Sequence, residues 1–210
     1  MDKFLVIEVY AKTISPLYTG EIKKEAIREA RDVNLPVRRT EDGKVAIPIY
    51  GVIRAYLEKI LTEKGENVCD TGAKGAKGCG RCVLCDLFGY LGRRGRAFID
   101  DLVSKENAMK IVSSVTHNRI DRNSGTVSDA LKMEEIKEGS EFYGKIRIIE
   151  PKERDIELFA TAFEAMKEFG IGGWVTRGRG RVDIQFKVYE RRWTEFINRA
   201  KETLKQIGIK

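Results

Sequence analysis

Several things are scarce in this chain of 210 residues, and each scarcity narrows the reading. No apolar run approaches the roughly 20 residues that a membrane-spanning helix needs. The opening MDKFLVIEVY has no basic region, long apolar segment or small-residue cleavage site, so a secretory signal is not expected there. Glutamine occurs only at Gln185 and Gln206 although 34% of residues are charged, a balance that resembles thermophile composition. Histidine occurs once, at His117. No G-x-x-x-x-G-K-[ST] phosphate loop is present. The glycine-rich stretch follows a helical pattern rather than a strand, which excludes a dinucleotide-binding turn. The four cysteines lack the Cys-Pro that would complete a ferredoxin-type iron–sulfur run.

What is present points towards an acidic partner. Lys and Arg total 39 against 32 Asp and Glu, for a formal charge of +7. That balance favours nucleic acid or another anionic surface. A cytosolic chain is the expectation, and there thiols serve as metal ligands more often than as disulfides.

Periodicity gives the element order. Lys3 to Ala11 alternates as a strand, and Pro48 precedes a helix with Ile53, Tyr56, Leu57, Ile60 and Leu61 on one stripe. A short helix is expected around Glu21 to Arg31. Residues 62–95, rich in Gly, Lys, Arg and Cys, read as an insertion before strand material at Ala97 to Val103. Residues 111–131 have few apolar side chains and read as a protruding hairpin. Phe142 to Ile149 is another strand, and a helix follows with Ile156, Phe159, Phe163 and Met166 on one face. Val182 to Val188 is the cleanest strand, and a last helix carries Trp193, Phe196, Ile197, Ala200 and Leu204. The order predicts an α+β fold: a modified ferredoxin-like, RRM-type sheet in one domain over residues 1–210, with an inserted β-hairpin and a metal-binding loop. Tyr10, Phe4, Tyr143 and Tyr189 are read as core or sheet-surface packing, because the RNP consensus is absent.

Two stretches carry chemistry. "VCDTGAKGAKGCGRCVLCDLFG" sets Cys69 ahead of Cys79, Cys82 and Cys85, and the overlapping C-x-x-C units let successive thiolates turn towards one ion. Four thiolates close a tetrahedral structural zinc site and would hold Lys74, Lys77 and Arg81 in a fixed array. "GIGGWVTRGRGRV" places Gly170, Gly172, Gly173, Gly178 and Gly180 beside Arg177, Arg179 and Arg181. Glycine admits close backbone approach, amides there can face phosphate oxygens, and the three arginines share a side on strand spacing.

That glycine stretch is similar to the C-terminal signature of the RAMP superfamily of CRISPR-associated proteins. Three more segments resemble, in order, the backbone subunit repeated along CRISPR effector complexes: "VAIPIYGVIRAYLEK", "CDLFGYLGRRGRAFIDD" and "HNRIDRNSGTVSDALKMEEIKEGSEFYGKI". The resemblance implies an RRM-like palm with a hairpin thumb, in copies stacked along guide RNA. It implies guide contacts at Arg54, Arg119, Arg122, Gly172, Gly173, Arg177, Gly178, Arg179 and Arg181. The implied partners are CRISPR guide RNA, a target RNA or DNA, copies of the chain and other effector subunits. "YGVIRA" departs from the family pattern by lacking its serine and lysine donors, leaving Tyr50, Gly51 and Arg54 at that helix start.

RNA-cleaving members carry an aspartate two residues before a Pro-Val pair. Here "EARDVNLPVRR" has Asn34 at that position, with Asp32 two residues further back. An amide serves Mg²⁺ poorly, so the reading favours binding without cleavage, Asp32 being the fallback carboxylate. The alternative is a ribonuclease of the same superfamily that uses Mg²⁺ or takes His117 as its base; a structural or RNA-contacting role is the preferred reading of His117.

Overall fold

A computed structural model of the chain describes residues 2–20, 33–71 and 75–207, the side chains of Ser128 and Asp129 excepted. The expected helix at 21–31, Asp32 and Lys74 lie outside the described residues.

The first strand, β1 (Lys3–Thr13), follows the alternation of its sequence. Leu5, Ile7, Val9 and Ala11 point into the core, while Glu8, Tyr10 and Lys12 face the other way. It is flanked antiparallel by β9 (Glu141–Ile149) and by β10 (Val182–Arg192). Beyond β9 lie β6 (Leu102–Asn107) and β2 (Lys44–Ile47), giving the order β10-β1-β9-β6-β2. Two helices cover one face: α1 (Tyr50–Glu63) through Ile53, Leu57 and Leu61, and α4 (Glu153–Phe169) through Leu158, Phe159, Phe163 and Met166. Burying each such side chain contributes about 1.5–3 kcal/mol, so these stripes anchor the layer.

The expected strand at Ala97 to Val103 is two strands. β5 (Ala97–Ile99) pairs with the end of β9 at Ile148 and Ile146, and β6 rejoins β9 at Tyr143. The break falls at Asp100 and Asp101, whose carboxylates pair with Arg147 (2.8 Å) and Arg38 (3.0 Å). Gly144 permits this passage, since a Cβ there would lie 3.0 Å from the Asp101 carbonyl oxygen.

The insertion forms a small lobe with α2 (Val83–Phe88), β3 (Gly89–Tyr90) and β4 (Arg93–Arg94). After α3 (Ala108–Ile111), strands β7 (Val112–Ile120) and β8 (Val127–Ile136) form a separate two-stranded sheet. The hairpin therefore runs to Ile136, past the expected end at 131. Its base is sealed by the buried Met133 and Ile136. The last helix, α5 (Thr194–Gln206), rests on the sheet end through Phe4, whose ring centroid is 4.9 Å from that of Trp193 and 5.7 Å from that of Phe196. Among the described residues no helix is long and apolar enough to cross a membrane.

Candidate nucleic-acid interface

The glycine stretch begins where Gly170 ends α4 and closes where β10 starts. It is pinned rather than loose. The amides of Gly173 and Gly180 donate to the carbonyls of Tyr18 and Pro16, both at 2.9 Å, and Ile171 donates to Gly180 at 2.8 Å. Two glycines are required by this packing. At Gly172 a Cβ would stand 2.3 Å from the Tyr18 carbonyl oxygen, and at Gly180 it would stand 2.1 Å from that of Ile171. Both residues also have positive φ, +83° and +79°. The amides of Arg177, Gly178 and Arg179 likewise donate to Trp174 and Val175. These N–H groups hold the loop together and do not face an open phosphate site, contrary to the expectation from sequence.

The arginines also differ from a strand arrangement, because Val175–Arg177 is a 3-10 turn. Arg177 lies over the Trp174 indole at 4.4 Å and is exposed. Arg179 turns inward: its Nε donates to Glu135 Oε2 at 2.9 Å, with the carboxylate side chain only 9% exposed. Arg181 is exposed, its amide donating to Ser15 Oγ at 3.0 Å.

The Arg179–Glu135 pair ties this loop to β8. Across the hairpin, His117 lies against Trp174, with ring centroids 5.0 Å apart, and its Nε2 is 3.3 Å from Arg179 Nη2. Arginine can only donate, so Nε2 accepts there and the proton of a neutral ring sits on Nδ1. His117 thus has partners that sequence did not reveal, and its Nε2 is occupied by a cation. That geometry suits a clasp between loop and hairpin better than a general base.

On the other side of β8, Glu134 Oε2 accepts from the Val37 amide (2.9 Å) and Oε1 from Arg39 (2.8 Å). Asn34 joins the same edge: its Oδ1 accepts from the Lys132 amide and its own amide donates to the Lys132 carbonyl, both at 2.9 Å. The position at which RNA-cleaving relatives are expected to carry aspartate is therefore a backbone-pairing residue.

Beyond these clamps the hairpin projects without a core. Ile120 and Val127 are exposed, as are Arg119 and Arg122. The turn is organised by Asp121, whose Oδ1 accepts from the amides of Asn123 (2.8 Å) and Ser124 (2.9 Å), interactions that hold its carboxyl below the usual range.

Arg54 differs from its expected exposure on α1. It is buried, donating to Glu58 and to the Gly89 carbonyl, both at 3.0 Å, and only Nη2 has no partner. Glu58 also accepts from the Thr71 hydroxyl at 2.7 Å, and Tyr50 donates to the Phe88 carbonyl at 2.9 Å. Arg54 is a strut between α1 and the cysteine lobe, since the missing side-chain donors of this helix start are replaced by Tyr50 contacts to that lobe.

In the lobe, the sulfurs of Cys69, Cys79, Cys82 and Cys85 all lie within 4.8 Å of one another. Cys69 and Cys85 are 3.7 Å apart, close to the ~3.8 Å edge of a tetrahedron with metal–sulfur bonds of about 2.3 Å. Amides of Arg81 and Cys82 donate to Cys79 Sγ, at 3.4 and 3.2 Å. These bonds, that of Arg81 foremost, bring the Cys79 thiol down to about 6, while its hydrogen bond to Cys79 pushes Cys69 up to about 12. The donor set fits a thiolate-loving metal ion.

The RAMP superfamily model matches residues 10–183. The chain belongs to the RAMP superfamily. A solved structure similar to this RAMP protein is a chain in the cryo-EM structure of the Type III-B Cmr-beta bound to cognate target RNA, with TM-score 0.66 and 14% identity. The likeness covers 90% of this chain and 61% of that one, so this RAMP protein spans under two thirds of its neighbour's length. No curated protein matches it.

Proposed function

We propose that this protein is a subunit of a CRISPR effector complex that binds guide RNA along its phosphate backbone, in several copies, in the cytoplasm. The observation that carries the proposal is the clasp joining the superfamily's glycine stretch to a projecting hairpin: Arg179–Glu135 brings Arg177 and Arg181 to the root of the hairpin that bears Arg119 and Arg122. A strand order of β10-β1-β9-β6, with α1 and α4 as crossovers, supports a ferredoxin-like palm, and β7–β8 supports the thumb. On this reading residues 1–210 form one domain, and the four thiolates hold structural zinc, which fixes the lobe that the Arg54 strut supports. A target RNA or DNA pairs with the bound guide, and neighbouring subunits and copies complete the assembly.

The role is binding rather than cleavage, because Asn34 is committed to β8 and offers a neutral amide where a carboxylate would be needed. Sequencing the RNA that copurifies with the protein tests the role. Repeat-derived RNA with a regular nuclease footprint is the expected result, and random RNA, or none, overturns it. Incubation with guide–target duplex and Mg²⁺ tests the chemistry: no periodic cuts are expected, and cuts that disappear in Asp32→Ala would establish a nuclease instead.

A further inference from the structure

The cysteine lobe carries a charge arrangement that its structural role does not explain. Lys77, Arg81, Arg93 and Arg94 are all exposed. The segments that carry them meet beside Tyr90. Tyr90 pairs with Arg93 and Gly89 with Arg94 across β3 and β4. The Lys77 carbonyl accepts from the Leu91 amide at 3.3 Å, and a Cβ at Gly80, beside Arg81, would touch the Tyr90 hydroxyl at 3.0 Å.

Among the described residues none of these four cations has an ion-pair partner; Arg94 only lies over the Phe98 ring at 4.1 Å. On the sheet, by contrast, Lys3 pairs with Glu190, Lys105 with Glu141 and Arg147 with Asp100. Two of the lobe's carboxylates are already taken, Asp86 by Arg96 (2.9 Å) and Lys152 (2.8 Å) and Glu66 by Arg154. Like charges on a lobe too small for a core repel one another, and cations left there without carboxylate partners favour a polyanion. At the turn beside them, Leu91 is 74% exposed and offers an apolar surface next to the charges.

We infer that this lobe is a second nucleic-acid contact, separate from the glycine stretch and hairpin, which grips the phosphate backbone of single-stranded RNA through Lys77, Arg81, Arg93 and Arg94. The inference rests on the RNA-binding reading above and adds a surface to it. The planar guanidiniums take phosphate oxygens two at a time, and the metal-bound scaffold supplies the rigidity that makes four weak contacts act together.

The experiment is the salt dependence of affinity for a mixed-sequence single-stranded RNA, measured on the full chain. Three variants are compared with it: Arg93→Ala/Arg94→Ala, Lys77→Ala/Arg81→Ala and Arg177→Ala/Arg181→Ala. Each lobe pair should lower the slope of log affinity against log salt by about 1.4, the release expected for two single-strand phosphates. Because these side chains are exposed, unchanged melting should accompany the loss, and the two lobe pairs check each other. Unchanged slopes in both lobe pairs, with a fall in the Arg177/Arg181 pair, would overturn the second contact alone. Unchanged slopes in all three, or no RNA binding by the parent chain, would overturn both readings. Loss of a copurifying protein at an unchanged slope would assign the lobe to an acidic protein surface and likewise overturn the inference.

Discussion

Arg179 and Glu135 form a part-buried ion pair, Nε to Oε2 at 2.9 Å, between the glycine stretch and β8. One residue away, Glu134 reaches the opposite side of the same strand and holds Arg39 at 2.8 Å. Adjacent residues on a strand point to opposite faces, so two consecutive glutamates fix the hairpin base from both sides. Charges in such positions stabilise only while both partners are present.

Arg179→Ala should therefore lower unfolding free energy by about 1–3 kcal/mol, because it leaves the Glu135 carboxylate buried without its cation. The double variant Arg179→Ala/Glu135→Gln should recover part of this loss. Urea denaturation of the two single variants and the double gives the coupling; strict additivity would mean that the pair does not act as a clasp.

Gly180→Ala puts a methyl 2.1 Å from the Ile171 carbonyl oxygen at a φ of +79°. Both the contact and the backbone conformation oppose it, so a loss of about 2 kcal/mol or more is expected. Gly178 has φ +80° but open space, so Gly178→Ala should cost less, about 1 kcal/mol. Thermal melting of the two variants orders them.

Removing one thiolate tests the metal. Cys82→Ser should abolish the bound ion, about one per chain in the parent protein by elemental analysis, and should expose the lobe to proteolysis between Val68 and Tyr90. A variant that keeps full metal content would exclude the four-sulfur site.

The outer sheet face supplies a pH prediction. Lys145 foremost, then the Tyr143 hydroxyl, hold Glu8 down at about 2, with Tyr189 and Tyr10 also donating. A carboxyl lowered on folding contributes stability above its unfolded value of about 4.5, and that contribution fades as pH falls towards 2. Glu8→Gln should be less stable than the parent at pH 7 by about 1 kcal/mol, given the solvent access of the site, and the gap should close below pH 3. Equal pH profiles for the two proteins would remove Glu8 as the source.

Local pattern was enough for much of the fold. The alternation of Leu5, Ile7 and Val9, and the helical stripe of Ile53, Leu57 and Leu61, each mark a buried face that packing then uses. Overlapping C-x-x-C spacing marked a ligand set whose sulfurs do converge, because two-residue spacers turn successive thiolates the same way. Long-range partners were not written in any local pattern. Glycine spacing in 170–180 reads as room for a close approach without naming what approaches: Tyr18 passes against Gly172, and the Ile171 carbonyl of the same loop passes against Gly180. Three arginines at strand spacing read as equivalent, yet Glu135, 44 positions away in sequence, draws Arg179 inward and leaves Arg177 and Arg181 outside. Arg54 reads as a surface cation, yet the Gly89 carbonyl and Glu58 bury it. Periodicity and spacing are properties of neighbours along the chain. Which carboxylate or carbonyl neutralises a given cation depends on segments brought together only when the sheet closes, and that the tertiary structure alone decides.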